Sequence, residues 1–449
     1  MGTFSLRRQL TYTFLLFTLL LLLVPHAAHE SDMSFWVAWA KDIYYQGLGN
    51  VYQTPSNSYN PLYHYFLWFF GWMLGDVDKM IYYSHWLKAL TLVFDFAGAF
   101  WAASLVRERD RRFGLALLLL LNIGYLYNTL VWVQVDAIYT LFVFGAVVLA
   151  VRQRPMGSML CFVLALAAKP QALIFVPPLL LLWAPLWWHR PKTLLTSLVA
   201  GAVLMTLILS PFIWFGNQND LPRILEINLG ATNFFPYLSM NAYNVWYVLM
   251  PTPDPSLVPD AGEYAGLTYR AWGLLMFFAA AALALFPLLL LALRNLRRPA
   301  LSLPKSDANQ ADLALALLSC GLVPLVFAFF NTQMHERYWH AAMLFLAAYA
   351  FLKRDYLPYV LTSVAYFFNL EGVLQFLKLR KYSVLIFDPR FVAGLFALAI
   401  VLGLVKLYRL TQWRAEWQLI RQGAGHPAAP PAFALATDVP TGAPAAAPR

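Results

Sequence analysis

Charged side chains are scarce in this sequence. They make up 12% of its 449 residues, against about 25% in soluble domains, and that scarcity excludes a free-standing soluble protein. Cysteine is nearly missing. The two present, Cys161 and Cys320, both lie in apolar stretches, which excludes a disulfide scaffold and a multi-cysteine metal cluster. Period-two alternation of apolar and polar residues is also lacking, so a membrane β-barrel is excluded. No polar loop segment offers three metal ligands at a recognisable spacing, so neither a metal nor any other cofactor is expected.

What the chain has in abundance is apolar sequence in blocks. Hydrophobic residues make up 61%, the mean hydropathy is +0.59, and in residues 14–24 only Thr18 is polar. A bilayer core about 30 Å thick takes a helix of about 20 apolar residues, and each backbone N–H and C=O there must pair within its own segment. The expectation is therefore an all-α, polytopic transmembrane protein of about twelve spans. They are placed near 10–25, 82–106, 113–129, 135–151, 156–168, 171–188, 194–215, 269–293, 312–330, 338–352, 355–371 and 391–409. Residues 1–410 form one membrane unit. Residues 411–449 form a cytoplasmic tail, and from Gly423 it is rich in Ala and Pro and expected to be disordered.

The net charge of +10 does not point to nucleic acid, because Lys and Arg fall in short clusters between spans, as the positive-inside rule requires. These clusters are Arg7-Arg8, Arg107 to Arg112, Arg152 with Arg154, His189-Arg190 with Lys192, Arg294 with Arg297 and Arg298, Lys353-Arg354, and Arg409 onward. Alternation places all of them inside, provided that the short aromatic stretch 62–74 does not cross but lies at the interface or re-enters. Loops 26–81 and 216–268 then face outside. One cluster disagrees: Lys378-Leu379-Arg380-Lys381 falls on the outer side.

Four polar groups share that outer side. Glu30-Ser31-Asp32 opens the first loop and reads equally as the acidic first turn of an interfacial helix. Tyr59-Asn60-Pro61 reads equally as a Pro-led helix start with an interfacial tyrosine. Gln134 and Asp136 begin one span, and Lys169 and Gln171 begin another; Asp136 and Lys169 could simply be a buried structural pair. The fourth group, Asn331 to Tyr338, contains His335, Glu336 and Arg337 in succession, more than a solvated loop needs. Cations beside the membrane surface favour a phosphate, an Arg fork fits two of its oxygens, and a nearby carboxylate suits proton removal from a hydroxyl. The second loop carries Asn233-Phe234-Phe235-Pro236-Tyr237 and, further on, Asn241, Tyr243, Asn244 and Trp246. These residues either cover the site or anchor the loop at the interface.

In these residues the chain resembles the membrane glycosyltransferases of the C-type fold, and most of all the dolichyl-phosphate-glucose α-glucosyltransferases of N-glycan assembly and their bacterial relatives. The resemblance runs from about Asp32 to about Arg354. It rests on an ordered set: an acidic residue opening the first external loop, a Tyr-Pro-Pro-like turn before a non-crossing helix, a Gln-x-Asp, a Lys-x-Gln, and Met334-His335-Glu336-Arg337-Tyr338. Two places depart from the pattern. The turn reads Tyr59-Asn60-Pro61 with one proline, and Glu30 stands close enough to Asp32 to compete for its role.

The resemblance implies metal-free transfer of a hexose, glucose or mannose, from a polyprenyl-phosphate donor to a glycan or glycolipid acceptor. Asp32 would be the general base, with Glu30 as the alternative. His335, Arg337 and Lys169 would hold the donor phosphate. Tyr59, Asn60, Gln134, Asp136, Gln171, Glu336, Tyr338, Asn241, Asn244 and Trp246 would line the site. The first apolar block also looks like a secretory signal, but cleavage near Ala28 would untether Asp32, so retention is expected. Compact loops and the Ala/Pro-rich tail favour a bacterial inner membrane with a periplasmic site; in a eukaryote the same topology points to the endoplasmic reticulum lumen. Rival readings are a transporter or flippase of lipid-linked sugars, a non-catalytic receptor or scaffold, and a lipid-linked polymerase or ligase.

Overall fold

The computed structural model describes residues 5–24, 30–230, 235–250, 252–297, 307–411, 413, 414, 417 and 418, with side chains left out at 30, 31 and 307–309. The expectations for Asn233, Phe234 and nearly all of the tail therefore lie outside the described residues.

Helices dominate. An outer helix α1 (Leu6–Leu23) leads to the loop helices α2 (Glu30–Gln46), α3 (Pro61–Leu74) and α4 (Val77–Tyr82). Seven helices follow: α5 (Leu87–Ser104), α6 (Arg109–Leu120), α7 (Ile123–Leu130), α8 (Asp136–Val151), α9 (Pro155–Ala168), α10 (Val176–His189) and α11 (Pro191–Trp214). The second long loop holds α12 (Leu221–Gly230), β1 (Ser239–Met240), α13 (Val245–Leu249) and the hairpin β2 (Glu263–Tyr264) and β3 (Leu267–Thr268). The chain continues as α14 (Tyr269–Arg297), α15 (Asp307–Phe330), β4 (Met334–His335), α16 (His340–Lys353), α17 (Leu357–Leu374) and α18 (Pro389–Thr411). Proline opens α3, α9 and α11, where its missing N–H costs no helix bond.

Among the described residues eight helices are long and apolar enough to cross a membrane. Three further apolar helices, α8, α9 and α16, have 16, 14 and 14 residues; fourteen residues reach only about 21 Å. The segment read as one span over 113–129 is broken: α6 and α7 meet at 57°. The cause is Asn122. Its side chain caps α7 by accepting from Tyr125 N, and it is held to α17 by the Tyr359 and Ser363 hydroxyls at 2.6 and 2.8 Å. Gly124 permits the approach, since a Cβ there would lie 2.7 Å from the Ser363 carbonyl.

The core sits in α8, α15 and α16, which are buried along nearly their whole length. Helices apolar all round belong at the centre of a bundle. By contrast α1 buries only Leu21. An all-α chain is expected to contain no strands, yet among the described residues four two-residue strands are present. One pairing matters: β1 runs parallel to β4, Ser239 opposite Met334 and Met240 opposite His335. It fastens the second long loop to the His-Glu-Arg segment. The loop helix α3 packs against α2 and α9 and leaves Trp68, Phe69, Trp72 and Met73 exposed.

Candidate active site

Segments far apart in sequence converge at one end of the bundle. Asp32 lies in the first turn of α2, and its Oδ2 accepts a hydrogen bond from Gln134 Nε2. The Gln134 Oε1 accepts from the Tyr59 hydroxyl at 3.5 Å. Gln134 reaches this position because the chain reverses sharply between α7 and α8. Val133 has φ +60°, a left-handed conformation rare for a β-branched residue, and backbone strain of this kind gathers at functional sites. Burial pushes the Tyr59 hydroxyl well above its ordinary range, so it stays protonated and serves as a donor.

Two residues after Gln134, Asp136 begins α8 with both oxygens engaged. Lys169 Nζ donates to Oδ1 at 2.8 Å and Asn128 Nδ2 to Oδ2 at 3.2 Å. The structural pair foreseen for Asp136 and Lys169 is thus formed, with both side chains buried. Lys169 is held at the end of α9 by an extended backbone that stops the helix before Pro170. Its ammonium lies 6.0 Å from the centre of the Tyr59 ring, within cation–π range. Asn60 precedes α3 and anchors it to α9, its side-chain amide donating to the Leu166 carbonyl at 2.7 Å.

The His-Glu-Arg segment enters from the other side. Arg337 Nη1 meets Glu336 Oε1 at 3.2 Å, and both side chains are largely buried. The guanidinium is in electrostatic range of Tyr59, Tyr338 and Asp32. Its Nε, like Gln171 Oε1, is buried with no hydrogen-bond partner; such atoms in a native interior call for an explanation. Burial raises the Glu336 carboxyl to about 7, against the pull of Arg337 and with a push from Asp32. Burial, with Arg337 and Lys169 nearby, holds His335 well below its ordinary range. It is therefore neutral at physiological pH and can donate one hydrogen bond without adding charge. Phe235 and Tyr338 meet its ring edgewise at 5.2 and 5.4 Å.

The other foreseen residues serve the frame. Asn241 offers its backbone oxygen to Asn369 at 2.8 Å. Asn244 caps α13 and donates to the Ala328 carbonyl at 3.2 Å. Trp246 donates to the Asn331 carbonyl at 3.3 Å. Asn244 and Trp246 thus tie the second loop to the end of α15, with their polar atoms spent there. Glu30 begins α2, but its side chain is outside the described residues.

Three residues missed in the sequence hold this end together. Asn369 in α17 accepts from Tyr243 N and Trp339 Nε1 and donates to Asn241 O. Asp260 accepts from Thr332 and Gln333. Glu371 accepts from Tyr127 and from the amides of Leu377 and Leu379. Deeper in the bundle, Asp95 in α5 lies 3.8 Å from His340 Nε2, both fully buried. For Asn369, Glu371 and Asp95 the available signal was a polar residue within an apolar helix; Asp260 lies in the second long loop, where a single carboxylate carries no such signal. No family model matches the chain, and no curated protein matches it.

Proposed function

We propose that this chain is a C-type membrane glycosyltransferase. It transfers a hexose, glucose or mannose, from a polyprenyl-phosphate donor to a lipid-linked or cell-envelope glycan, with inversion at the anomeric carbon. The observation that carries this reading is the meeting of Asp32, fixed by Gln134, with the cations Arg337 and Lys169 at one end of the bundle. The acceptor hydroxyl gives its proton to Asp32 and its oxygen attacks the anomeric carbon. The bond from that carbon to the phosphate oxygen breaks, and the polyprenyl phosphate leaves with the electron pair. Arg337, Lys169 and neutral His335 stabilise the leaving charge, as preorganised donors do in a water-poor site. The phosphate also supplies the partner that Arg337 Nε lacks. Neither a metal nor a cofactor enters this scheme.

An apolar groove of about 550 Å³ between α3, α5 and α11, lined by Leu62, Phe66, Val93, Phe94, Leu207 and Ile208 among others, suits the polyprenyl chain. In this reading the bent pair α6–α7 and the short helices α8, α9 and α16 each cross the bilayer. With the eight long helices they make the twelve crossings expected from the sequence. The exposed rings of α3 lie at the interface, and the site faces the periplasm of a bacterial inner membrane, or the endoplasmic reticulum lumen in a eukaryote. Purified protein given short-chain polyprenyl-phosphate hexoses and glycolipid acceptors tests the proposal. Turnover of one donor to a product of inverted anomeric configuration supports it. Retention of configuration, or no turnover of any donor by folded protein, rejects it.

A second reading, a transporter or flippase of lipid-linked sugars, draws on Asp95 and His340, because ionisable groups within spans mark ion and proton paths. Proteoliposome flux without chemical turnover would favour it.

A further inference from the structure

The basic cluster that breaks the positive-inside pattern has a structural setting. After α17 the chain forms an exposed loop over 375–388 before α18 begins. Lys378, Arg380 and Lys381 are exposed, and so are Phe376, Leu377, Tyr382, Val384 and Leu385, with Tyr382 87% accessible. Neither these three cations nor Arg390 makes an ion pair among the described residues. Two carboxylates lie close by in sequence. Glu371 is fully buried, and its oxygens are taken by Tyr127 and the amides of Leu377 and Leu379; Asp388 caps the first turn of α18 through Arg390 N. Glu371 therefore fixes the loop's backbone and leaves its cations facing outward.

The loop is continuous with the candidate site. Asn369, one turn and a half before the loop, binds Asn241, Tyr243 and Trp339. The Tyr243 ring rests on Gly372, where a Cβ would lie 3.0 Å from it, and Arg380 is in electrostatic range of Tyr243.

Cations beside exposed aromatic and aliphatic side chains, at the end of apolar helices, form the pattern of a segment lying at a charged membrane surface. The rings and aliphatics enter the headgroup boundary and the ammonium and guanidinium groups meet phosphates. An anionic surface favours each such cation by about fivefold in local population. A loop meant only for water would not present five large apolar side chains. We propose that the loop carrying Lys378, Arg380 and Lys381 is a docking surface for anionic phospholipid headgroups of the leaflet at the site's end of the bundle. It would hold that end of the protein at headgroup depth. This inference does not rest on the glycosyltransferase reading and holds for any activity at the site.

The test uses the full chain in nanodiscs. A bimane label is placed at Tyr382→Cys in a Cys161→Ala, Cys320→Ala background, and quenching is compared between brominated phosphatidylglycerol and brominated phosphatidylcholine at equal mole fraction. Stronger quenching by the anionic lipid, about twofold or more, is expected, and it should vanish in Lys378→Gln/Arg380→Gln/Lys381→Gln and weaken in high salt. Equal quenching by both lipids, or none by either, overturns the proposal. If the labelled protein fails to fold, the unlabelled chain decides: phosphatidylglycerol should raise its melting temperature over phosphatidylcholine more than it raises that of the triple Gln variant. An equal rise in both overturns the proposal as well.

Discussion

Gln134 donates its amide N–H to Asp32 Oδ2 across 102 residues of sequence, and the same amide's oxygen receives the Tyr59 hydroxyl. A neutral side chain thus orients the proposed base without altering its charge. Gln134→Glu keeps the shape and adds a like charge, which disfavours the ionised form of Asp32. The acid limb of the transfer rate should move to higher pH in this variant, read from a pH–rate profile. An unmoved limb would mean that Asp32 is not the base.

Asp136 and Lys169 form a buried pair at 2.8 Å. Removing one partner strands the other charge, so Asp136→Leu or Lys169→Met alone should cost about 3–5 kcal/mol in thermal or denaturant unfolding. The double variant should recover much of that stability, since a packed apolar pair replaces an ionic one at little net cost. If Lys169 also contacts the donor phosphate, the recovered double variant should still show a raised donor KM.

Glu336 makes the protein's stability depend on pH. Its carboxyl is raised from 4.5 to about 7, burial being the main cause. A folded pKa above the unfolded one means that the stabilising contribution is complete below about 4.5 and is lost as pH rises through 7. Melting temperatures of the wild type and Glu336→Gln measured between pH 5 and 8 should therefore diverge, the wild type losing ground toward pH 8. Parallel curves would contradict a raised Glu336 carboxyl in the folded state.

The groove between α3, α5 and α11 allows a test of donor-chain binding apart from the chemistry. Val93 lines it and is half-exposed. Val93→Trp should fill part of the groove and raise KM for long-chain donors by about tenfold, the worth of about 1.4 kcal/mol of lost contact, with kcat and short-chain KM little changed. Equal effects on both chain lengths would place the lipid elsewhere.

The long apolar helices and the ordered polar segments are legible in the sequence because each has a strong local signal: a long apolar run, or several polar residues together between two such runs. What is hidden depends on contacts across the fold. The break at Asn122 comes from its bonds to α17, and nothing in the apolar run from 113 to 129 marks that partner. Strands β1 and β4 are two residues each, too short to show a period. Asn369 and Asp260 are single polar residues whose partners are backbone groups and side chains from distant segments. Asn244 and Trp246 look like site residues in sequence, but their polar atoms fasten a loop. The Lys378 to Lys381 cluster contradicts the topology rule as a charge pattern, and becomes intelligible only as an exposed loop beside the site.

The base decides whether this is an inverting transferase. Asp32→Asn keeps the size of the side chain while removing its capacity to accept the acceptor's proton, and should leave the melting temperature close to that of the wild type. Single-turnover transfer from the best polyprenyl-phosphate hexose should fall by about 10²–10⁴, the usual contribution of general-base catalysis, with donor binding retained. A folded Asp32→Asn protein that transfers sugar at the full rate would contradict the proposed mechanism.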